Sequence, residues 1–465
     1  MDRLPAELVL AIAVHISNVR DRLDLLLICR HWRAVLFDVV YENLRINTHQ
    51  ASQLVETLLE RPHLATLIQS VTVLESHERF ASQNPLSRNV QALLNEIAEG
   101  PQEIEDWNEE LLHAEKDAWI ALLLALIPKI RSLSWDGSLP SPWVTVMASK
   151  AAMKDPPFDT RPALQHLETV EVLNIQPDDP STCTPYFQVV PFFHLPSMNS
   201  IILENIRDFG PYEADLSLLH CNQRATDAAS GTSPIQTLDL TGCNLGGGVA
   251  RFIRSCSNLK KFVYQHENEI DDGIHRDFRP RIFYDILSSQ KHSLEVLHLN
   301  NLGQGSYGLD DTWEEDEVEP ADRWLGSFAA FRKLWDLRLR VQNLLNLHPE
   351  DRNDVIVLKD MLPRNLKWLH LTNCDEEHCS VLADGMLDLL HDLKDGFPEL
   401  EQIYIYSAIA ESSQPQPAGP HRPPQDVRVL STISEQFEPI QTLCDGGGIT
   451  FELLLHDEYK IVYQG

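Results

Sequence analysis

The chain has 465 residues, 43% of them hydrophobic, and its 69 acidic against 38 basic residues give a formal net charge of −31. That balance argues against a nucleic-acid or anionic membrane partner, because both need a basic face to neutralise phosphate. Eight cysteines are too sparse for a disulfide framework and no apolar run reaches the roughly 18–20 residues of a membrane span, so reduced thiols and a cytoplasmic and/or nuclear place are expected.

The chain opens with Leu4-Pro5-Ala6-Glu7-Leu8, and Leu8, Ile12 and Ile16 follow at a four-residue spacing that draws one face of a helix. Pro5 suits the first turn, where its missing N–H is not needed. Residues 8–16 are apolar enough to imitate a secretion signal, but Asp2 and Glu7 interrupt the pattern and no small-residue cleavage site follows. Asp21 begins a second apolar run through residues 23–28, which Cys29, Trp32, Leu36 and Phe37 continue at helical spacing. Three short helices in 46 residues bury little core, so such a module is marginal unless it docks on something. It holds six acids and six arginines, so the whole acidic excess lies beyond it.

These residues resemble an F-box: a Leu-Pro start, an amphipathic helix, Asp21, a leucine run, then Cys29 and Trp32 in register and a Tyr41-Glu42-Asn43-Leu44 exit. Leu26 departs from the family's usual polar residue. The resemblance covers about a tenth of the chain. It implies docking on the Skp-type linker, and through it the cullin, of a cullin–RING ubiquitin ligase. Carried over residue by residue, Leu4, Pro5, Leu8, Ile12, Leu25 and Trp32 are the docking positions. Leu25 and Trp32 equally suit the module's own core, and both roles can coexist.

From residue 68 onward a six-residue pattern, apolar-x-x-apolar-x-apolar, recurs ten times. Its copies are Ile68-Val71-Val73, Ile130-Leu133-Trp135, Leu167-Val170-Val172, Met198-Ile201-Leu203, Ile235-Leu238-Leu240, Leu259-Phe262-Tyr264, Leu294-Leu297-Leu299, Leu334-Leu337-Leu339, Leu366-Leu369-Leu371 and Leu400-Ile403-Ile405. From the second copy the first positions lie 37, 31, 37, 24, 35, 40, 32 and 34 residues apart, the period of a solenoid. The closing alternation of each copy predicts a short strand with one buried face. Helical spacing between copies, as in Val249, Phe252, Ile253 and Cys256 or in Leu382, Met386, Leu389, Leu390 and Leu393, places helices outside a parallel sheet. The unit from Ile235 to Leu245, with Cys243 at its turn, resembles the cysteine-containing leucine-rich repeat often found behind F-boxes.

The expected architecture is therefore α/β. A three-helix F-box occupies 1–46, a mainly helical start of the solenoid 47–129, and an irregular leucine-rich-repeat domain with parallel strands and outer helices 130–465. Loop insertions are expected near 136–162, 303–322 and 408–426, where prolines or acids cluster. The stripe of Leu111, Leu112, Trp119, Leu122, Leu123 and Leu126 reads as solenoid core. Three glycines at 446–448 suit a turn before one last strand, capping the sheet edge.

Catalytic chemistry is not visible. Gly303-Gln304-Gly305-Ser306-Tyr307-Gly308 matches a dinucleotide pattern, but an acidic run rather than a helix follows, and it would repel phosphate. Cys374 and Cys379 with His378 and His370 lack the second ligand pair of a structural zinc site, so a repeat position with a surface loop is the preferred reading. No cofactor, metal or enzymatic activity is expected.

In each strand the residue between the last two apolar positions points to the concave face: Thr72, Ser134, Glu171, Ile202, Asp239, Val263, His298, Arg338, His370 and Tyr404. Flanking columns add Asp336, Arg340, Trp368, Thr372, Gln402 and Tyr406. Arginine and aromatics are the residues that carry binding hot spots. His298, Arg338, Arg340, Trp368, His370 and Tyr404 are the candidate target-binding residues, facing an acidic or phosphorylated segment of a target protein. The function expected is the substrate-recognition subunit of an SCF-type ubiquitin ligase; the alternative is a leucine-rich-repeat scaffold with no ubiquitin role.

Overall fold

A computed structural model describes residues 4–16, 21, 24–74, 85–112, 116–136, 142–173, 183–207, 231–245, 247–267, 280–302, 325–345, 357–374, 376–407 and 425–454. The chain divides into two compact units, 1–235 with 255–257, and 236–254 with 258–465.

The first unit begins with helix α1 (Ala6–Val14) and helix α2 (Arg30–Glu42). Pro5 caps α1 from outside rather than entering its first turn, and its carbonyl accepts the Leu8 and Val9 amides at 3.1 and 3.2 Å. The buried stripe of α1 is Val9 and Ala13, which join Trp32, Leu36 and Val40 of α2 in a five-residue core. Helix α2 runs straight into β1 (Asn43–Asn47), a strand paired in parallel with β2 (Ser70–Leu74). The expected module boundary at residue 46 thus falls inside a strand. Leu44 and Ile46 alternate with exposed residues and are buried, a period-2 signal too short to stand out in sequence.

Beyond β2 follow β3 (Ser132–Asp136), β4 (Thr169–Leu173), β5 (Thr184–Pro185), β6 (Ser200–Glu204) and β7 (Ile206–Arg207). Strands β1, β2, β3, β4 and β6 pair in parallel in that order, and β5 pairs with β7. Val71, Leu133, Val170 and Ile201 stand in register and are buried, as are Val73, Trp135, Val172 and Leu203. Burying each such side chain stabilises the fold by about 1.5–3 kcal/mol, which explains why an irregular spacing between copies does not disturb the ladder.

The stretch 136–162 is not a loop throughout. Pro142–Met153 is a helix with Trp143, Val144, Val146 and Met147 buried. Its prolines lie at the ends: Pro142 is the first helical residue, where no N–H is required, and Pro156, Pro157 and Pro162 come after the last turn. Lys150, 2% exposed, is held by Glu103 Oε1 at 2.6 Å and by the Ile97 carbonyl at 3.0 Å. A buried ammonium is tolerated only with such partners.

The second unit contains β8 (Thr237–Cys243), β9 (Lys261–Glu267), β10 (Val296–Leu302), β11 (Asp336–Arg340), β12 (Trp368–Cys374), β13 (Gln402–Ser407) and β14 (Thr450–Leu454), all parallel and in sequence order. Leu238, Phe262, Leu297, Leu337, Leu369, Ile403 and Phe451 form one inward row. The turn before each of β9 to β14 is braced to the preceding repeat, as in the Lys367 and Trp368 amides, which donate to the Trp335 carbonyl at 2.8 and 2.9 Å. The last strand forms as expected beside β13 after Gly448, whose φ of +76° favours glycine. Helix Gln425–Gly447 precedes it, so the stretch expected to be loop up to 426 ends two residues earlier. The expected insertion 303–322 and the remainder of 408–426 lie outside the described residues, as does the 303–308 glycine motif.

Candidate functional site

Two sets of residues merit attention, one in each unit. In the N-terminal module, the six residues singled out by resemblance divide evenly. Pro5 is exposed, and Leu8 and Ile12 keep 51% and 40% of their surface in contact with solvent. Trp32 is in the module's core, and Leu4 and Leu25 pack against that core while half-buried. A hydrogen bond of 3.0 Å between His31 Nε2 and the Leu4 carbonyl ties the start of the chain to α2. Asp24 and Leu25 are helical and residues 26–28 turn out of that helix, with the Leu27 amide donating to the Asp24 carbonyl at 3.0 Å. The turn leaves Leu27 82% and Ile28 44% exposed. Those two were missed as candidates; the unbroken leucine run was the signal, because a turn through it cannot bury every member.

In the second unit, β10 to β13 place His298, Arg338, His370 and Tyr404 side by side. Trp368 stands opposite Asp336, with its ring edge-on to Trp335 at 5.0 Å. The His370 ring stacks on Tyr404 at 4.7 Å and 21°. The strands therefore bring five of the six expected target-binding residues onto neighbouring positions. Arg340 shares their face of β11 but is only 6% exposed, which sets it apart from Arg338, whose side chain is 29% exposed.

The centre of the cluster is Asp336, which the expected set left out. It is 3% exposed, accepts a hydrogen bond from His298 Nε2 on Oδ2 at 2.9 Å, and has Arg338 Nε 3.6 Å from Oδ1. Its position two residues before Arg338 in Asp-Leu-Arg-Leu-Arg puts it on the same face by strand alternation. Burial works against the Asp336 carboxylate, but the His298 hydrogen bond and the nearby positive charges outweigh it and hold its pKa below the usual value. Burial also lowers the pKa of His298, and burial with the Arg338 charge lowers that of His370 to about 3. At neutral pH the cluster holds one carboxylate, one guanidinium and two neutral imidazoles, so its charges balance.

Four polar atoms here are buried with no hydrogen-bond partner among the described residues: Asp336 Oδ1, Arg338 Nε and both ring nitrogens of His370. Trp368 Nε1 is a fifth. His298, Arg338 and His370 line a pocket that continues along the next column over Gln265, Asn300 and Thr372.

The cysteine pair is not on a surface loop. Cys374 ends β12 and Cys379 lies in helix Glu376–His391; both are fully buried, with sulfurs 3.2 Å apart. Among the described residues, no group of three or more His, Cys, Asp or Glu could hold a metal ion, and no helix is long and apolar enough to cross a membrane.

No curated protein matches the chain. Residues 184–412, which span β5 to β13, match the family model described as a leucine-rich repeat domain. The parallel ladder and the family match agree, and the repeat region of this chain contains a leucine-rich repeat domain.

Proposed function

We propose that the chain is a substrate-recognition subunit of an SCF-type cullin–RING ubiquitin ligase, with no catalysis of its own. The N-terminal module docks on the Skp-type linker, and through it the cullin; the repeats hold a target protein, in the cytoplasm or nucleus. The mechanism is proximity, in which the tethered target's lysines reach a high effective concentration near the charged ubiquitin carrier.

The observation that supports the docking half is the inverted use of α1. Val9 and Ala13 close the module's small core, while Leu8 and Ile12 stay in water beside the exposed Pro5. Large apolar side chains kept in water mark an interaction surface when they cluster on one face. For the target half, the repeats offer the partly exposed Arg338 with Trp368 and Tyr404 on one sheet face. The competing reading is a leucine-rich-repeat scaffold that binds partners with no ubiquitin role.

The test is binding of the full chain to a purified Skp-type linker. Stable capture that weakens at least tenfold in the Leu8→Ala/Ile12→Ala double variant supports the receptor reading. No capture by the wild-type chain favours the scaffold. This pair is cleaner than Leu4→Ala/Pro5→Ala, because Leu4 packs against the module's own core.

A further inference from the structure

The register of β11 to β14 decides which sign of charge the sheet face of the second unit can hold, an inference that rests on the reading of this face as the target-binding surface. The cations of its strands are already answered within the fold. Lys261 Nζ lies 3.4 Å from Asp239 Oδ2, Arg338 Nε lies 3.6 Å from Asp336 Oδ1, and Arg340 is only 6% exposed. Glu452 of β14 differs: it is exposed, and no described cation pairs with it.

Glu452 stands beside an aromatic ring. Strand β13 lies between β12 and β14, and the pairing sets His370 and Glu452 on either side of Tyr404. His370 stacks on one face of the Tyr404 ring, at 4.7 Å and 21°. The side of the ring away from His370 is the side of the carboxylate. Desolvation first, and the Glu452 charge second, raise the pKa of the Tyr404 phenol, so the carboxylate is felt at the ring. An aromatic face next to an unpaired carboxylate suits a cation, which the ring attracts through its negative face while the carboxylate completes the pair.

An anion is disfavoured at the same place. A phosphate or carboxylate would meet a like charge at Glu452 and, two strands away, an Arg338 that Asp336 already offsets. The N-terminal module is balanced in charge, so the net −31 of the chain lies beyond it, and its field draws cations to the repeats. Of the two common cationic side chains, arginine fits better. Its planar guanidinium stacks on an aromatic face with its N–H edge still free for a carboxylate, whereas an ammonium is more strongly hydrated. We propose that Tyr404 and Glu452 hold an arginine side chain of the target, so that the repeats recognise a basic segment rather than an acidic or phosphorylated one.

The experiment uses the full-length chain with ring-labelled tyrosine, observed by NMR at pH 7 and fixed ionic strength and titrated separately with N-acetylargininamide and inorganic phosphate. The Tyr404 signal is assigned by its loss in Tyr404→Leu. The expected result is a saturable shift of the Tyr404 ring with the arginine probe in the millimolar range, absent with phosphate, and weakened at least fivefold in Glu452→Gln. That variant alters one exposed side chain and keeps its shape, so it tests the carboxylate apart from the fold. An undiminished response in Glu452→Gln overturns the proposal, because the overall field of the chain then accounts for the binding. Saturation by phosphate at lower concentration than the arginine probe overturns it in favour of an anion site. The absence of any shift with the arginine probe removes the site. Linker capture is measured on the same preparation: a chain that captures the linker without an arginine response loses this inference alone, and one that shows the arginine response without capture loses only the receptor reading.

Discussion

Helix α1 buries Val9 and Ala13 and leaves Leu8 and Ile12 in water, whereas β11 to β13 bury Leu337, Leu339, Leu369, Leu371, Ile403 and Ile405 to 1% exposure or less. Both regions are built from the same aliphatic residues. Each of β11, β12 and β13 has a neighbour on either side and its inward residues meet the next row, so burial is completed inside the chain. In the module two helices share a five-residue core, too few to shield every apolar side chain they carry. The difference separates residues that hold the fold from residues available to a partner, and variants in the two regions should therefore fail in different ways.

The largest effect is expected inside the module's core. Trp32→Ala should cost about 3–5 kcal/mol of local stability and abolish linker capture by unfolding the module, seen as new protease cleavage within residues 4–42. Leu369→Ala, fully buried in the middle of the ladder, should cost about 2–5 kcal/mol and lower the thermal transition while linker capture stays intact. If capture fell equally in both variants, the contrast between the regions would be lost.

A pH series tests the second unit. His370, which faces Arg338, Asp336, His298 and Tyr404, has its pKa lowered to about 3 in the fold, below the roughly 6.5 of an unfolded histidine. Between these values the unfolded chain takes up a proton that the folded chain refuses, so stability falls as pH drops from about 6.5 towards 3 and is unaffected by this group above that window. His370→Phe keeps the ring and removes the proton site. It should flatten the slope of stability against pH in that window and leave stability at pH 7 equal or higher, because two unmet polar atoms are removed. An unchanged slope would show that His370 is not held neutral.

The smallest effect on stability is expected where linker binding is weakened without unfolding the module. Leu8→Ala and Ile12→Ala remove side chains that the fold already leaves in solvent, and each should change stability by no more than about 0.5 kcal/mol.

Much of the fold was legible in the sequence because a buried strand face writes its own period. All ten copies of the six-residue pattern end in a parallel strand, and the concave column from His298 to Tyr404 falls in register across β10 to β13. Strand β1 was missed because five residues with two apolar positions do not rise above the helix that precedes them. The helix Pro142–Met153 was missed because prolines crowd its surroundings; composition does not reveal that each sits just outside or at the first turn. At the candidate site, the residue types were legible and their charges were not. Arg338 reads as a free cation until the fold places Asp336 beside it and buries the carboxylate. In the module, spacing identified a helical face at Leu8 and Ile12 but not its direction, which depends on what Trp32, Leu36 and Val40 leave uncovered.

The most direct test is the affinity of the full-length chain for a purified Skp-type linker, wild type against Leu8→Ala/Ile12→Ala, with thermal unfolding of both recorded alongside. The account predicts tight capture by the wild type, at least a tenfold loss in the double variant and near-identical unfolding curves. Equal affinity of the two proteins for the linker, or no affinity in either, would contradict it.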